Sequence, residues 1–152
     1  MRESMKLVFF FLLTFSITEF VSAQMPKAKI LEKGSLTIKI TGFESDDGKC
    51  WFGLDNTEEV FEGEDTVFIG KILSVVNREV NLTIKDLPYG NYAIRVFHDE
   101  NSNSELDTNF LGIPTENYGY SNNASDWFGP PNWDDAKFTF NQKEMFIELL
   151  VD

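Results

Sequence analysis

The chain has 152 residues and carries 25 acidic side chains against 13 basic ones, a net charge of −12. Nucleic acids and anionic membranes are therefore disfavoured as partners, because both are bound through clustered Lys and Arg side chains. Cys50 is the only cysteine, so an internal disulfide is excluded, and stability has to come from the core and from any bound ion.

Residues 1–23 read as a secretory signal peptide. A basic start precedes an apolar run, and "VSA" supplies small residues before the predicted cleavage after Ala23. The run is shorter than the roughly 20 apolar residues of a transmembrane helix. No cysteine directly follows the cleavage site, so a lipid anchor is not indicated. We expect residues 24–152 to form one exported domain, periplasmic or secreted, with no membrane span.

Several short segments show the period-two alternation of half-buried strands. "SLTIKITG" gives the first strand, and Asp47-Gly48 predicts a hairpin turn into a second strand around "CWFGL". The acidic "NTEEVFEGED" is interpreted as a solvated loop or sheet edge. Further strands are predicted in "TVFIGKILSVV", "EVNLTIKDL", "YAIRVFHD", "AKFTF" and "EMFIELLV".

Six or seven short strands without alternating helices predict an all-β fold, an antiparallel β-sandwich. Residues 99–135 show neither a strand nor a helix pattern, and loops of that length are usually functional or disordered. Their many aromatic and apolar side chains favour an ordered loop that packs over the sandwich. These are Phe110, Leu111, Ile113, Tyr118, Tyr120, Trp127, Phe128 and Trp133.

The stretch "DENSNSELD" at the start of this loop has the spacing of a calcium-binding turn. An EF-hand loop uses side-chain oxygens at its first, third, fifth and ninth positions and a backbone carbonyl at its seventh. The corresponding residues here are Asp99, Asn101, Asn103, Asp107 and, through its carbonyl, Glu105. The sequence therefore predicts a weak calcium site, with a dissociation constant near 10⁻⁴ to 10⁻³ M.

Two positions depart from that pattern. The sixth position, usually glycine, is Ser104, and the twelfth, usually a bidentate glutamate, is Phe110. Any missing ligands would come from water or from the nearest acidic residues, Glu116, Asp134 and Asp135.

Other interpretations of the same residues stay open. The stretch could be a plain polar turn, because Asn, Asp and Ser bond their own backbone. His98 with Asp99, or Asp99 with Asp107, could be an acid-base pair of a hydrolase, although His98 falls on the buried face of its strand. The aromatic residues of the loop could form a surface for sugar rings or simply pack it. That set is Tyr118, Tyr120, Trp127 and Trp133.

The segment "LPYGNYAIRVFHDENSNSELDTNFLGIPTENYGYSNNA" together with "FGPPNWDDAKF" resembles a bacterial secreted family, domain of unknown function 2141. The shared motifs run over residues 87–138 and include L-P-x-G-x-Y-A, H-D-E-N-x-N-x-x-L-D-x-N and G-I-P-x-E. The family usually has glycine where Ser104 stands. The segment is also similar to transthyretin-like and surface-protein modules. This resemblance implies an immunoglobulin-like or prealbumin-like sandwich and no particular activity.

Together these observations predict an exported, monomeric module of the bacterial cell envelope, stabilised by calcium and without catalysis. Its partner would be an envelope protein or a glycan. The alternative is a glycan hydrolase or a carbohydrate-binding module that uses the loop at residues 99–135.

Overall fold

The computed structural model describes residues 32–63, 67–127 and 129–152. The predicted signal peptide and Phe128 lie outside the described residues. Across the described ranges, no helix combines the length and the apolar character that crossing a bilayer requires.

Eight strands and two short helices make up most of the described chain, so the predicted all-β class is confirmed. The strands are β1 (Lys33–Thr41), β2 (Lys49–Asp55), β3 (Ile69–Leu73), β4 (Val80–Pro88), β5 (Gly90–Asp99), β6 (Tyr118–Tyr120), β7 (Phe138–Phe140) and β8 (Glu144–Leu150). The helices are α1 (Glu58–Glu62) and α2 (Trp133–Ala136), and a 3-10 turn spans Ser121–Asn123.

The strands form two sheets. One has the order β4-β1-β8, and the other has the order β3-β2-β5-β6, with β7 paired to β5. All strand pairs are antiparallel except β1 and β8, which run parallel with Ile38 opposite Ile147. The prediction of an entirely antiparallel fold is therefore wrong for this pair, because alternation along a strand does not reveal the direction of its neighbour.

A single hydrophobic core joins the two sheets. Each alternating strand turns one face inward, and β1 contributes Leu36, Ile38 and Ile40, all fully buried. The opposing sheet contributes Phe52 and Ile94, also fully buried. Burial of a large apolar side chain stabilises by about 1.5–3 kcal/mol, so this alternation is the main determinant of the fold.

The predicted hairpin at Asp47-Gly48 is wrong. Because β1 and β2 belong to different sheets, the segment between them carries the chain from one sheet to the other. The chain nevertheless bends here, and glycine is required, since Gly48 has φ +72 and a Cβ there would come 2.2 Å from the carbonyl oxygen of Asp99. Turn residues identify where the chain reverses, and tertiary packing decides which strand it joins.

Helix α1 occupies the segment predicted to be a loop or sheet edge. The Thr57 side chain caps it by accepting a hydrogen bond from the Val60 backbone N–H, and two glutamates follow in the first turn, where they favour the helix dipole. Phe61 is the buried residue of this helix. A helix of five residues is too short to show a 3.6-residue period, so the sequence pattern did not reveal it.

Residues 99–135 contain regular elements that the sequence did not predict. Strand β6 pairs with β5, and helix α2 buries Trp133 and Ala136. The remaining aromatic and apolar side chains do not all pack on the sheets. Large exposed fractions are found for Phe110 (94%), Leu111 (68%), Ile113 (56%) and Trp127 (95%), contrary to the prediction.

Three of these exposed residues, Phe110, Leu111 and Ile113, lie on a turn that is closed by its own polar groups. The Asn109 side-chain oxygen accepts hydrogen bonds from the backbone N–H groups of Leu111 (2.8 Å) and Ile113 (3.2 Å). Thr108 and Pro114 pair across its base. Because these local bonds order the turn, it does not need to bury its side chains on the sandwich.

Candidate cation loop and aromatic cleft

The predicted calcium-binding stretch, called here the cation loop (residues 99–107), begins at the last residue of β5. Asp99 is 2% exposed, and its two carboxylate oxygens accept hydrogen bonds from the backbone N–H groups of Asn103 and Ser104, each at 2.9 Å. The carboxylate thus closes the first curl of the loop. Asp99, whose place in the sequence suggested a ligand, also organises the backbone around it.

The other predicted side-chain ligands join the same hydrogen-bonded cluster. The amide nitrogens of Asn101 and Asn103 donate to the Asp107 carboxylate at 2.6 and 3.1 Å. The Asn101 oxygen accepts from the Asn103 N–H at 2.9 Å, and the Asn103 oxygen accepts from the Glu105 N–H at 2.7 Å. Alternate spacing in the sequence therefore places these oxygen-bearing side chains together.

Glu116 bridges the two arms of the loop. One carboxylate oxygen accepts the Glu100 N–H at 2.9 Å, the other accepts the Asp107 N–H at 3.0 Å, and the residue is 7% exposed. Bonds from backbone N–H groups to an ionised carboxylate are stronger than those between neutral groups. Glu116, which was predicted as a possible additional ligand, thus stabilises the loop although it follows the loop in the sequence.

The backbone of the loop has the curvature expected of its sixth position. Ser104 has φ 69 and Ser102 has φ 62, both in the left-handed region where glycine is preferred. Each non-glycine residue held there costs about 1 kcal/mol. The loop keeps this conformation because the bonds made by Asp99 and Glu116 hold it on both sides.

Two predicted additional ligands belong to another element. Asp134 forms an ion pair with Lys137, and Asp135 accepts a hydrogen bond from the Asn132 amide at 2.6 Å. Both lie in the first turn of α2, where acidic residues favour the N-terminus. They are not members of the hydrogen-bonded cluster around Asp107.

A cation in the loop would be held by a mixture of carboxylate, amide and carbonyl oxygens. Within residues 32–63, 67–127 and 129–152, no group of three or more His, Cys, Asp or Glu side chains is arranged to hold a metal ion. The loop instead combines the carboxylates of Asp99 and Asp107 with two asparagine amides. Such an oxygen donor set suits a hard cation such as calcium and is unsuitable for zinc or copper.

His98 is buried at the base of the loop. Its side chain is fully buried, its ring stands edge-on to Phe43 at 5.1 Å, and Nε2 lies 2.8 Å from the carbonyl oxygen of Asp47. Because a carbonyl oxygen only accepts, Nε2 carries the proton. The prediction that this histidine faces the buried side of β5 is confirmed.

Beside the cation loop, the outer face of the five-stranded sheet carries a cleft of about 880 Å³, called here the aromatic cleft. Three aromatic residues lie in register across β2, β5 and β6, namely Trp51, Phe97 and Tyr118. The rings of Trp51 and Phe97 stack at 5.6 Å with an interplanar angle of 14°. Residues of the cation loop contribute one wall. The lining comprises Trp51, Val67, Arg95, Val96, Phe97, Ser104, Glu105, Leu106, Tyr118 and Tyr120.

The aromatic residues that line the cleft differ from the set predicted from the sequence. Tyr118 and Tyr120 line the aromatic cleft as part of the predicted set. Trp127 does not line it, and Trp133 is buried against Phe61 with ring centroids 5.8 Å apart. The predicted group of four is therefore wrong as a single surface, because α2 turns Trp133 into a second small core.

Trp51 and Phe97 were not predicted as site residues. Their signal is positional: Trp51 lies between the buried residues Cys50 and Phe52, and Phe97 lies between Val96 and His98. Large aromatic residues on the outward face of strands with a well-filled inner face indicate a surface that is covered or binds something.

Arg95 forms part of the lining of the aromatic cleft and is tied to its surroundings. Its Nε lies 3.0 Å from Oδ2 of the fully buried Asp55, and its other nitrogens donate to the carbonyl oxygens of Gly63 (3.1 Å) and Val60 (3.3 Å). Burial raises the pKa of Asp55 to about 6, and the nearby guanidinium partly offsets that shift. Arg95 therefore anchors the end of α1 to the sheet.

The two sheets, the cation loop and the aromatic cleft define an all-β protein with an oxygen-rich loop at the edge of one sheet. The chain belongs to the family described as "uncharacterized protein conserved in bacteria (DUF2141)", whose model matches residues 38–148. The resemblance deduced from the sequence is thereby confirmed. No curated protein and no solved structure matches the chain significantly.

Proposed function

We propose that this protein is an exported, calcium-stabilised module of the bacterial cell envelope, with an immunoglobulin-like or prealbumin-like sandwich fold. It is released into the periplasm or beyond after cleavage of residues 1–23, and it acts as a monomer without catalysis. Calcium fixes the cation loop, and the adjacent surface meets an envelope protein or a glycan. The net charge of −12 supports a preference for cations over anionic partners.

One observation carries this proposal: the predicted ligands lie in a single curled loop whose sixth position is left-handed. Asp99, Asn101, Asn103 and Asp107 are linked by hydrogen bonds, and Ser104 has φ 69. The donor set fits calcium. The two carboxylates, the two amides, the Glu105 carbonyl and water approach the six to eight oxygens that calcium takes.

The same contacts account for a weak affinity. Without the cation, the amide nitrogens of Asn101 and Asn103 donate to Asp107. Calcium needs their oxygens, so binding exchanges these two bonds for coordination and loses part of its gain. With two charged ligands, a dissociation constant of about 10⁻⁴ to 10⁻³ M is expected.

A non-catalytic role is supported by what the buried carboxylates do. Both oxygens of Asp99 and both oxygens of Glu116 accept backbone N–H groups. All four carboxylate oxygens are therefore already engaged in holding the backbone of the loop. This arrangement supports a structural role for the two carboxylates.

The test is thermal unfolding with and without calcium. At about 10 mM calcium, a dissociation constant in the expected range stabilises the folded state by about 1.4–2.7 kcal/mol, and EDTA reverses the gain. Asp107→Asn is expected to lose the response. Asp134→Asn, which changes an acidic residue of α2, is the matched control and keeps it. An unchanged melting temperature in calcium, or equal losses in the two variants, would contradict the proposal.

A further inference from the structure

The aromatic cleft combines flat apolar surface with unused hydroxyl groups. Trp51 and Phe97 provide the stacked rings, and Tyr118 and Tyr120 meet edge-on at 6.0 Å. Within the part of the chain that the structure describes, no protein hydrogen bond is made by the hydroxyls of Tyr118, Tyr120 or Ser104. An entirely apolar ligand would bury these hydroxyls without partners, which is unfavourable.

The depth of the cleft follows from two glycines. Gly53 and Gly70 lie opposite each other in the row next to Trp51, and Arg95 follows them in register on β5. A Cβ at Gly53 would come 3.2 Å from both the Arg95 Cγ and the Val67 Cγ1. Because these two positions have no side chains, Arg95 and Val67 can lie directly against the strand backbone.

The charge of the cleft is unsuited to anions. Arg95 directs Nε to Asp55, and its terminal nitrogens donate to the carbonyl oxygens at the end of α1. Its positive charge is therefore already offset by a buried carboxylate. The other charged residue of the lining is Glu105, which is exposed on the wall and adds a negative charge. An anionic ligand would meet repulsion rather than a free cation.

We propose that the aromatic cleft binds an uncharged segment of a glycan, and that calcium in the cation loop strengthens this binding. Sugar rings present apolar C–H faces to aromatic rings and hydroxyls to polar groups, which is the combination found on this surface. A cleft of about 880 Å³ lies within the usual size range of small-ligand sites, so it can take a short oligosaccharide.

Dependence on calcium follows from the shared wall, and this part rests on the proposed function. Ser104, Glu105 and Leu106 line the cleft and lie between the predicted ligands Asn103 and Asp107. A cation that fixes the loop also fixes the position of that wall. Coupling between two binding sites is reciprocal, so a bound glycan must raise calcium affinity by the same factor.

The direct test is native affinity electrophoresis of the protein in gels that contain one polysaccharide each. The neutral probes are mannan, xyloglucan, mixed-linkage β-glucan and amylopectin, and chondroitin sulfate is the anionic probe. We expect retardation by at least one neutral polysaccharide and none by chondroitin sulfate. Retardation by the anionic probe alone, or by none of the five, would overturn the proposal.

Matched variants locate the binding surface. Trp51→Ala is expected to weaken binding about tenfold or more, because it removes one of the two stacked rings on which a sugar face would lie. Trp127→Ala removes an equally large but fully exposed ring outside the cleft and should bind like the wild type. Equal losses in the two variants would overturn the assignment to this cleft.

Tyr118→Phe separates hydrogen bonding from packing. It keeps the ring and removes one hydroxyl that has no protein partner, so we expect a several-fold loss of glycan affinity with an unchanged melting temperature. If affinity is unchanged, or if the uncharged apolar dye Nile red binds the cleft and no glycan displaces it, the cleft recognises apolar surface and the glycan proposal is wrong.

Calcium and EDTA distinguish the two proposals. We expect calcium to raise glycan affinity several-fold in the wild type and not in Asp107→Asn. A calcium-dependent melting temperature without glycan binding would overturn the cleft proposal and leave the calcium proposal standing. Glycan binding that is lost in Trp51→Ala but indifferent to calcium would overturn the coupling.

Discussion

Arg95 and Asp55 form an ion pair in which the carboxylate is fully buried and the guanidinium lines a cleft, with Nε and Oδ2 3.0 Å apart. Removing a carboxylate from water is unfavourable, and one cationic neighbour does not fully compensate. The pKa of Asp55 therefore rises to about 6. The pair links β2, β5 and α1 at the expense of some stability at neutral pH.

The pH dependence of that pair can be measured against Asp55→Asn. A carboxyl whose folded pKa is about 6, above its ordinary 3.8, binds a proton more tightly when folded. Its contribution to stability is complete below about pH 4 and is lost as pH rises through 6. The stability of the wild type relative to Asp55→Asn should therefore fall across this window, by on the order of 1–2 kcal/mol after solvent screening. Urea unfolding of both proteins from pH 4 to 7 measures the difference, and a difference that rises with pH would contradict the assignment.

Ser104→Gly should stabilise the protein even without calcium. Ser104 has φ 69, and glycine removes the strain of that conformation, although it adds freedom to the unfolded chain. The expected net gain is about 0.5–1 kcal/mol in urea unfolding with EDTA. Ser125→Gly is the matched control, because Ser125 is not among the described residues with positive φ and should lose stability. A loss in Ser104→Gly equal to that of the control would contradict the strain argument.

Glu116→Gln should open the cation loop. The glutamine keeps one oxygen acceptor, whereas the carboxylate accepts the N–H groups of both Glu100 and Asp107. We expect a loss of about 1–3 kcal/mol and faster proteolytic cleavage within residues 99–107. Glu144→Gln, an exposed glutamate at the start of β8, controls for the change in net charge. Identical cleavage rates in both variants would show that Glu116 does not secure the loop.

Ser121→Ala should destabilise the attachment of α2 to the sheet. The fully buried Ser121 hydroxyl accepts the Ile94 N–H at 2.8 Å and donates to the Ala136 carbonyl at 2.6 Å. Alanine leaves both backbone groups without this partner, at a cost of about 1–3 kcal/mol. The melting temperature measures the loss, and Ser125→Ala is the exposed control. A melting temperature equal to that of the control would mean that water or another group replaces the hydroxyl.

Local patterns predicted the strands well because burial has a period that can be counted. Leu36, Ile38 and Ile40 alternate with polar residues, and all three are fully buried. Two short elements were not predicted: β6 has three residues and α2 four, so neither completes a recognisable period. Strand partners were also hidden, because pairing is decided by the whole fold rather than by the strand itself.

The candidate site was also predicted only in part from the sequence. The cation loop was found because its donors follow one another at a fixed spacing, from Asp99 to Asp107. The lining of the aromatic cleft was predicted only in part. Trp51 lies far in sequence from Tyr118, and only the pairing of β2, β5 and β6 brings the two residues into one row. A surface assembled from several strands has no continuous motif in the sequence.

The parallel pairing of β1 with β8 also affects the exposure of strand edges during folding. β1 lies between β4 and β8, and the partner of Ile38 on its second side is Ile147, far along the chain. Until β8 pairs with β1, one edge of β1 is unpaired and its inward-facing side chains are incompletely buried. Pairings between distant segments form slowly, and open strand edges attract other chains. The parallel pairing with β8 therefore closes an edge of β1 that would otherwise be open to pairing with a second copy of the chain.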